Sequence, residues 1–183
     1  FIPTVTSMVV ISMLWRFIYQ NDGLLNKSIA NINSDYKPID WLSNPKTAMY
    51  AIIFMSIWQA VGYHMIIWLG GLQTIPAELY EAVKMDGATA WHEFKYVTLP
   101  GLRHTFIFIL ITITIAALGL FVQVSILTNG GPLDATTTLV HQAFTKGYGR
   151  QQIGYGSAIS FVFFGLVLAI SLIQRALTQK LED

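Results

Sequence analysis

The 183-residue chain contains no cysteine, and only 11% of its residues are charged. Without cysteine it can form neither a disulfide nor a cysteine-ligated metal site, and it has no thiolate nucleophile. Soluble domains carry about 25% charged residues. Here 54% of the residues are hydrophobic and the mean hydropathy is +0.53. The composition therefore indicates an integral membrane protein.

The chain also lacks an excess of charge of either sign. Its 11 Lys and Arg residues nearly balance its 10 Asp and Glu residues, for a net charge of +1. Nucleic-acid binding needs a basic patch, so we expect no nucleic-acid partner. No Gly-x-x-x-x-Gly-Lys-Ser/Thr loop is present, and the histidines have no metal-ligand spacing. We therefore expect a non-catalytic chain with no metal site and no cofactor of its own.

Four apolar runs are each long enough to cross a hydrocarbon core, which takes about 20 helical residues. Within a bilayer each run must be helical, because only then are its backbone hydrogen bonds satisfied internally. The sequence predicts an all-α, polytopic membrane domain over residues 1–183. The predicted spans are residues 1–19, 48–72, 105–127 and 153–177.

Between the second and third spans lies a charged island, residues 73–104. We predict a helix over residues 77–86 that stops at Gly87, since glycine readily takes the left-handed conformation of a helix end. A second helix is predicted to begin at Thr89 and to end at Pro100. Spacing alone favours an amphipathic connector that packs on the protein's own spans. The loops on the two sides of the membrane carry similar numbers of Lys and Arg residues. Their distribution therefore does not indicate which side is cytoplasmic.

Polar and small residues recur at helical spacing in two of the spans, and these stripes are candidates for a substrate path. An equally available interpretation is interhelical packing, because such residues are standard contacts between spans. The stripes include Gln59 and Tyr63 in the second span and Ala116, Gly119 and Gln123 in the third.

Several motifs, in order along nearly the whole chain, resemble the binding-protein-dependent ABC importer permeases with the EAA loop, in particular the maltose, multiple-sugar and glycerol-3-phosphate branch. The motifs are Trp15-Arg16, Asp22-Gly23-Leu24-Leu25-Asn26, Trp41-Leu42, Trp58, the run from Leu72 to Pro76, Glu81-Ala82-Val83, Asp86-Gly87-Ala88, Phe94, Val97, Leu99-Pro100, and Asn129-Gly130-Gly131-Pro132.

The resemblance implies a type I ABC importer permease fold whose six-span core has two spans ahead of this chain. It also implies that residues 73–104 form a cytoplasmic loop that docks into an ATPase subunit and transmits its closing motion. The residues that match the family's coupling motif are Glu81, Ala82, Asp86, Gly87, Ala88, Phe94, Leu99 and Pro100. Val83 departs from the pattern, because the family usually has a small residue there.

By the same resemblance the partners are a second, non-identical permease subunit, two cytosolic ATPase subunits that bind ATP and Mg, an extracytoplasmic solute-binding protein, and the lipid of a bacterial or archaeal cytoplasmic membrane. In maltose permeases of this family, positions matching Trp58 and Tyr63 contribute to the substrate site. The expected function is uptake of a sugar, oligosaccharide or polyol by alternating access. The alternatives are a secondary transporter or channel, or a membrane assembly subunit, each without an ATPase partner.

Overall fold

A computed structural model of the chain describes residues 1–33 and 35–179, which contain helices and no strand. This part of the chain contains three helical segments long and apolar enough to cross a membrane: Ala48–Gln73, Arg103–Leu127 and Ile153–Thr178. The all-α membrane fold is thus confirmed. The helices are α1 Ile2–Val5, α2 Met8–Ile18, α3 Leu24–Ile32, α4 Ala48–Gln73, α5 Ala77–Met85, α6 Ala90–Glu93, α7 Leu99–Gly101, α8 Arg103–Leu118, α9 Val122–Leu127, α10 Leu139–Phe144 and α11 Ile153–Gln179.

The first predicted span, residues 1–19, is not a continuous helix. Thr6 has an extended backbone, with φ −87° and ψ 145°, and divides α1 from α2. The 11 residues of α2 extend about 17 Å, which is shorter than the hydrocarbon core. Packing holds the short α1 against the middle of α4, where the Thr4 hydroxyl donates to the Gln59 carbonyl over 3.1 Å.

The third span is interrupted at residues 119–121, where Phe121 has φ −132° and ψ −58°. The short helix α9 that follows packs between α2 and α4. Its Val124 and Leu127 lie in a buried core with residues of both helices, including Trp15 and Met55. This core is at the end of α4 opposite the charged island, and it joins the three helices there into one unit.

The loop that precedes α4 is organised by one buried amide. Asn26 is 2% exposed, and its Nδ2 donates to the backbone carbonyls of Gln20, Asn21 and Ile39. Its Oδ1 accepts hydrogen bonds from the Trp41 indole, the Tyr36 hydroxyl and the Ile39 N–H. An amide with every polar atom bonded can be buried at little cost, so Asn26 fixes the path of this loop.

The charged island folds as a helical hairpin, but Pro100 does not end its second arm. Residues Phe94–Thr98 form a π-helical turn, in which the Leu99 N–H donates to the Phe94 carbonyl. Pro100 then falls in the first turn of α7, where a missing N–H is tolerated. Leu102 keeps helical dihedrals and leads into α8. The second arm and the third span therefore form one nearly continuous helical rod, which corrects the predicted stop.

Two glycines allow close packing between α11 and the π-helical turn Thr145–Gly149. A Cβ placed on Gly156 would lie 2.7 Å from the Gly147 Cα and 2.9 Å from the Ala143 carbonyl oxygen. Such distances are shorter than any real Cβ contact, so a side chain at Gly156 would push the two segments apart. A Cβ on Gly154, two residues away, would meet no atom within 4 Å.

We predict that Gly156→Ala lowers the free energy of unfolding by about 1–3 kcal/mol, because the added methyl overpacks a backbone contact. Gly154→Ala is the matched control, and we expect it to be neutral or slightly stabilising, since alanine favours helix. Thermal unfolding of the two purified variants in detergent measures the difference. Equal melting temperatures would show that the glycine contact is absent.

Candidate functional site

The hairpin exposes the residues of the coupling motif. Glu81, Ala82, Asp86 and Gly87 are exposed, and Ala88 is half-buried. Gly87 has φ +72°, a conformation that disfavours side chains, and it ends α5 as the sequence predicts. A Cβ at Gly87 would meet no atom within 4 Å, so only the backbone requires glycine here. The motif is therefore free to contact another molecule.

Apolar side chains continue the exposed surface of the hairpin onto its second arm. Met85 is 83% exposed and Trp91 is 67% exposed. The Trp91 and Phe94 rings stack with their centroids 5.7 Å apart, and Leu99 is also exposed. Exposed aromatic groups next to charges are typical of a protein-binding surface.

The opposite side of the hairpin packs on a small core of its own. Ile75, Val97 and Leu102 are buried there, and Trp68, Tyr80 and Val83 pack against them. The Tyr80 and Thr98 hydroxyls also lie 3.1 Å apart in a hydrogen bond between the two arms. Val83, the departure from the family pattern, thus contacts the hairpin's own core, and its two extra methyls fill space there.

This core joins the hairpin rigidly to two spans. A Cβ on Gly101 would lie 2.7 Å from the Ile75 side chain, so α7 lies directly against the end of α4. One turn further, the Trp68 and Phe106 rings are 6.2 Å apart, and Thr105 lies against the Gly71 backbone. A force on the hairpin therefore acts on both α4 and α8.

The predicted substrate-path residues of the second span lie in the middle of α4. Trp58 is 42% exposed and packs edge to face on Trp15, with 5.4 Å between centroids. Tyr63 is 51% exposed, whereas Gln59 is half-buried beside α1. These residues lie between two contact regions of α4, one with α9 near Met55 and one with α8 near Trp68.

The predicted residues of the third span lie on both sides of its interruption. Ala116 is exposed near the end of α8, Gly119 is the residue that ends α8, and Gln123 is buried in α9. Helix ends expose backbone groups, and within a membrane an interrupted helix is tolerated only in protein or beside a water-filled cavity. Backbone groups at the interruption therefore need hydrogen-bond partners from outside the helix.

One threonine holds the interruption in place. The Thr138 hydroxyl donates to the Leu120 carbonyl over 2.6 Å and accepts from the His141 N–H over 3.2 Å, which also caps α10. Burial lowers the pKa of His141, and the charge of Asp134 opposes that shift. Sequence reasoning missed Thr138, although a threonine immediately before an apolar helical run is a recognisable cap.

The structure separates the two predicted sets of site residues. The coupling residues share one exposed hairpin, whereas the substrate-path residues lie near the middle of the spans. Asn26 is buried and fully bonded. Buried amides of this kind carry no spacing signal, so the sequence did not reveal its structural role.

Apolar spans, an interrupted helix at membrane depth and an exposed helical hairpin packed on two spans define a polytopic membrane protein. The chain matches over residues 1–183 the family described as "binding-protein-dependent transport system inner membrane component". It belongs to that family. The hairpin contains the residues that resemble the family's EAA motif.

Curated relatives carry names of ABC transporter permeases. The chain is 39% identical over 176 residues to the probable ABC transporter permease protein YurN of Bacillus subtilis, which covers 95% of the chain and 60% of YurN. It is 36% identical to the trehalose/maltose transport system permease protein MalF of Thermococcus litoralis, with 94% and 58% covered. It is 34% identical to the lactose transport system permease protein LacF of Rhizobium radiobacter, with 95% and 59% covered. The chain thus spans about 60% of the length of these relatives.

A solved structure shows the same fold. The chain superposes with a TM-score of 0.80 on a bacterial ABC transporter that imports the acidic polysaccharide alginate, at 20% identity. The superposition covers 100% of the chain and 64% of the solved chain. The type I importer permease fold is therefore confirmed.

We predict that Thr138→Val lowers the free energy of unfolding by about 1–3 kcal/mol, because the Leu120 carbonyl and the His141 N–H both lose their partner. Thr112→Val is the control, since the Thr112 hydroxyl bonds only to carbonyls of its own helix. Thermal unfolding in detergent measures both. If the two variants melted together, Thr138 would not stabilise the interruption.

Proposed function

We propose that the chain is part of the permease subunit of an ATP-driven importer for a sugar, oligosaccharide or polyol. The observation that carries this proposal is the hairpin, whose EAA motif is exposed on one side while its other side is packed rigidly on α4 and α8. A connector that only packed on the protein's own spans would not need an exposed surface of aromatic and charged residues.

The hairpin is suited to transmit motion. An ATPase can shift the permease between two states only through contacts that differ between those states. Docking at Glu81 and Gly87 pulls α5, and the contacts of Ile75 and Tyr80 carry the displacement to the second arm. Because that arm continues into α8, the displacement reaches the interruption near Gly119. Alternating access is then a change in how α4 and α8 meet at mid-membrane.

The proposed partners perform the steps that this chain does not perform. Two cytosolic ATPase subunits bind ATP and Mg and dock on the hairpin, and hydrolysis takes place there, since this chain has no phosphate-binding loop. A second, non-identical permease subunit completes the path, and an extracytoplasmic solute-binding protein delivers the substrate. The location is the cytoplasmic membrane of a bacterium or archaeon, with the hairpin on the cytosolic side.

The carbohydrate class is supported by the relatives. The names of LacF and of the Thermococcus litoralis MalF refer to lactose and to trehalose and maltose. Aromatic rings and amides are common in saccharide sites, and Trp58, Gln59 and Tyr63 supply both on one segment of α4. No Asp or Glu occurs in residues 48–72, 105–127 or 153–177, whereas ion-coupled carriers usually need such a carboxylate. This disfavours a secondary transporter.

Glu81→Lys tests the coupling assignment. We expect the purified transporter to lose its ATPase subunits and to show at least about tenfold lower substrate-stimulated ATP hydrolysis, since a reversed charge at a docking contact costs several kcal/mol. Lys95→Gln, an exposed charge on the second arm outside the motif, is the control. Association and hydrolysis that both persist unaltered in Glu81→Lys would refute the docking role.

Tyr63→Ala tests the substrate path. We expect uptake into proteoliposomes to fall about tenfold or more while ATPase subunits still co-purify, because a substrate contact is lost at mid-membrane and the hairpin is untouched. Tyr50→Ala is the control, since Tyr50 is 73% exposed at the far end of the same helix. Uptake at the wild-type rate in Tyr63→Ala would instead favour a packing role for this face.

A further inference from the structure

A concave polar pocket of about 500 Å³ lies at the end of α4 opposite the hairpin. It is formed by the end of α2, the loop before α4 and the turn after α9. Small-molecule sites generally have volumes of 300–1,000 Å³. The lining residues that matter for its chemistry are Arg16, Tyr19, Gln20, Asp40, Trp41 and Thr128.

One wall of the pocket is held rigid by Asn26. The Asn26 Oδ1 accepts from the Trp41 indole over 2.9 Å, and its Nδ2 donates to the Gln20 and Asn21 carbonyls. The Tyr19 ring lies 6.3 Å from the Trp41 ring, and its hydroxyl donates to the Ala51 carbonyl over 2.8 Å. The Trp41 and Tyr19 side chains and the backbone at Gln20 are thus fixed before any ligand arrives.

The opposite wall is held by a second buried network. Thr136 is 0% exposed, and its hydroxyl donates to the Gly131 carbonyl over 2.7 Å. The Thr128 hydroxyl donates to the Thr136 hydroxyl over 2.7 Å. This network sets the position of the Gly131-Pro132 turn, which closes the pocket. Preorganised walls reduce the entropy lost when a ligand binds.

Two oppositely charged side chains, Arg16 and Asp40, also line the pocket. Across residues 1–33 and 35–179, neither the Arg16 guanidinium nor the Asp40 carboxylate forms an ion pair or a side-chain hydrogen bond. An anionic ligand would meet Asp40, and a cationic one would meet Arg16. A neutral polyhydroxylated ligand satisfies both groups, because a hydroxyl can donate to a carboxylate and accept from a guanidinium.

We propose that this pocket is a saccharide-binding site at the outer end of the path, selective for neutral over anionic sugars. The ring of Trp41 and the amide of Gln20 complete the contacts, beside the two charged groups. The inference rests on the proposed function, since it names a sugar contact met before the mid-membrane site. It adds a preference for neutral sugars, about which the coupling hairpin gives no information.

The test uses the assembled transporter in lipid nanodiscs, without binding protein or nucleotide. Saturation-transfer NMR measures binding of maltose, trehalose, lactose and diacetylchitobiose, with glucose 1-phosphate as the anionic probe. We expect at least one neutral disaccharide to bind, glucose 1-phosphate to bind more weakly, and Asp40→Asn with Arg16→Gln to weaken disaccharide binding about tenfold or more. If the double variant does not assemble, disaccharide binding by the isosteric single variant Asp40→Asn is compared with that of the wild type.

A control variant locates the signal. Lys46→Gln removes an exposed charge of the same loop outside the pocket, so it should bind disaccharide as the wild type does. The proposal is overturned if no neutral disaccharide binds, if Lys46→Gln weakens binding as much as the double variant does, or if the double variant binds sugar normally. In a separate binding assay with the solute-binding protein, a double variant that loses affinity for that protein but binds disaccharide normally would overturn the saccharide site in favour of a protein contact.

ATP-driven uptake into proteoliposomes is measured on the same wild-type preparation. It distinguishes failure of the saccharide-site proposal from failure of the proposed transport function. Uptake that depends on ATP while disaccharide binding fails removes the outer site and leaves the proposed function intact. Absence of ATP-driven uptake for all four disaccharides counts against the carbohydrate function itself.

Discussion

The requirement that every backbone polar group at membrane depth be bonded within the protein underlies the rest of the structure. It makes the long apolar runs helical, even where β-branched residues such as Ile113 would favour a strand in water. It also makes each interruption depend on a side chain. The Thr138 hydroxyl supplies the bond at Leu120 where the third span breaks, and the Thr6 hydroxyl donates to the Ile2 carbonyl where the first run divides.

The hairpin combines two properties that the sequence presents as alternatives. One side packs on the protein's own spans through Ile75 and Val97, which agrees with an amphipathic connector. The other side exposes Glu81 and Trp91, which agrees with a docking surface. The proposed coupling role needs both, because a surface that docks an ATPase can transmit its motion only if the base of that surface is rigidly held. The π-helical turn before Pro100 serves the same end by letting the second arm run on into α8.

At the other end of the bundle, two buried polar networks, centred on Asn26 and Thr136, fix loops that would otherwise be free to move. Both networks satisfy their polar atoms with a mixture of backbone and side-chain groups, which lowers the cost of burial in the absence of solvent. The side chains of Arg16 and Asp40 are not part of these networks, and both line the pocket.

The sequence by itself determined the membrane class, the second and fourth spans, the hairpin with its glycine turn, and the family motifs, because these depend on local composition and spacing. Tertiary structure decided the division of the first run at Thr6, the interruption after Gly119 and the continuation of the helix through Pro100. Each of these depends on hydrogen bonds or packing between segments far apart in the chain. No local pattern encodes which distant carbonyl a hydroxyl such as that of Thr138 will reach.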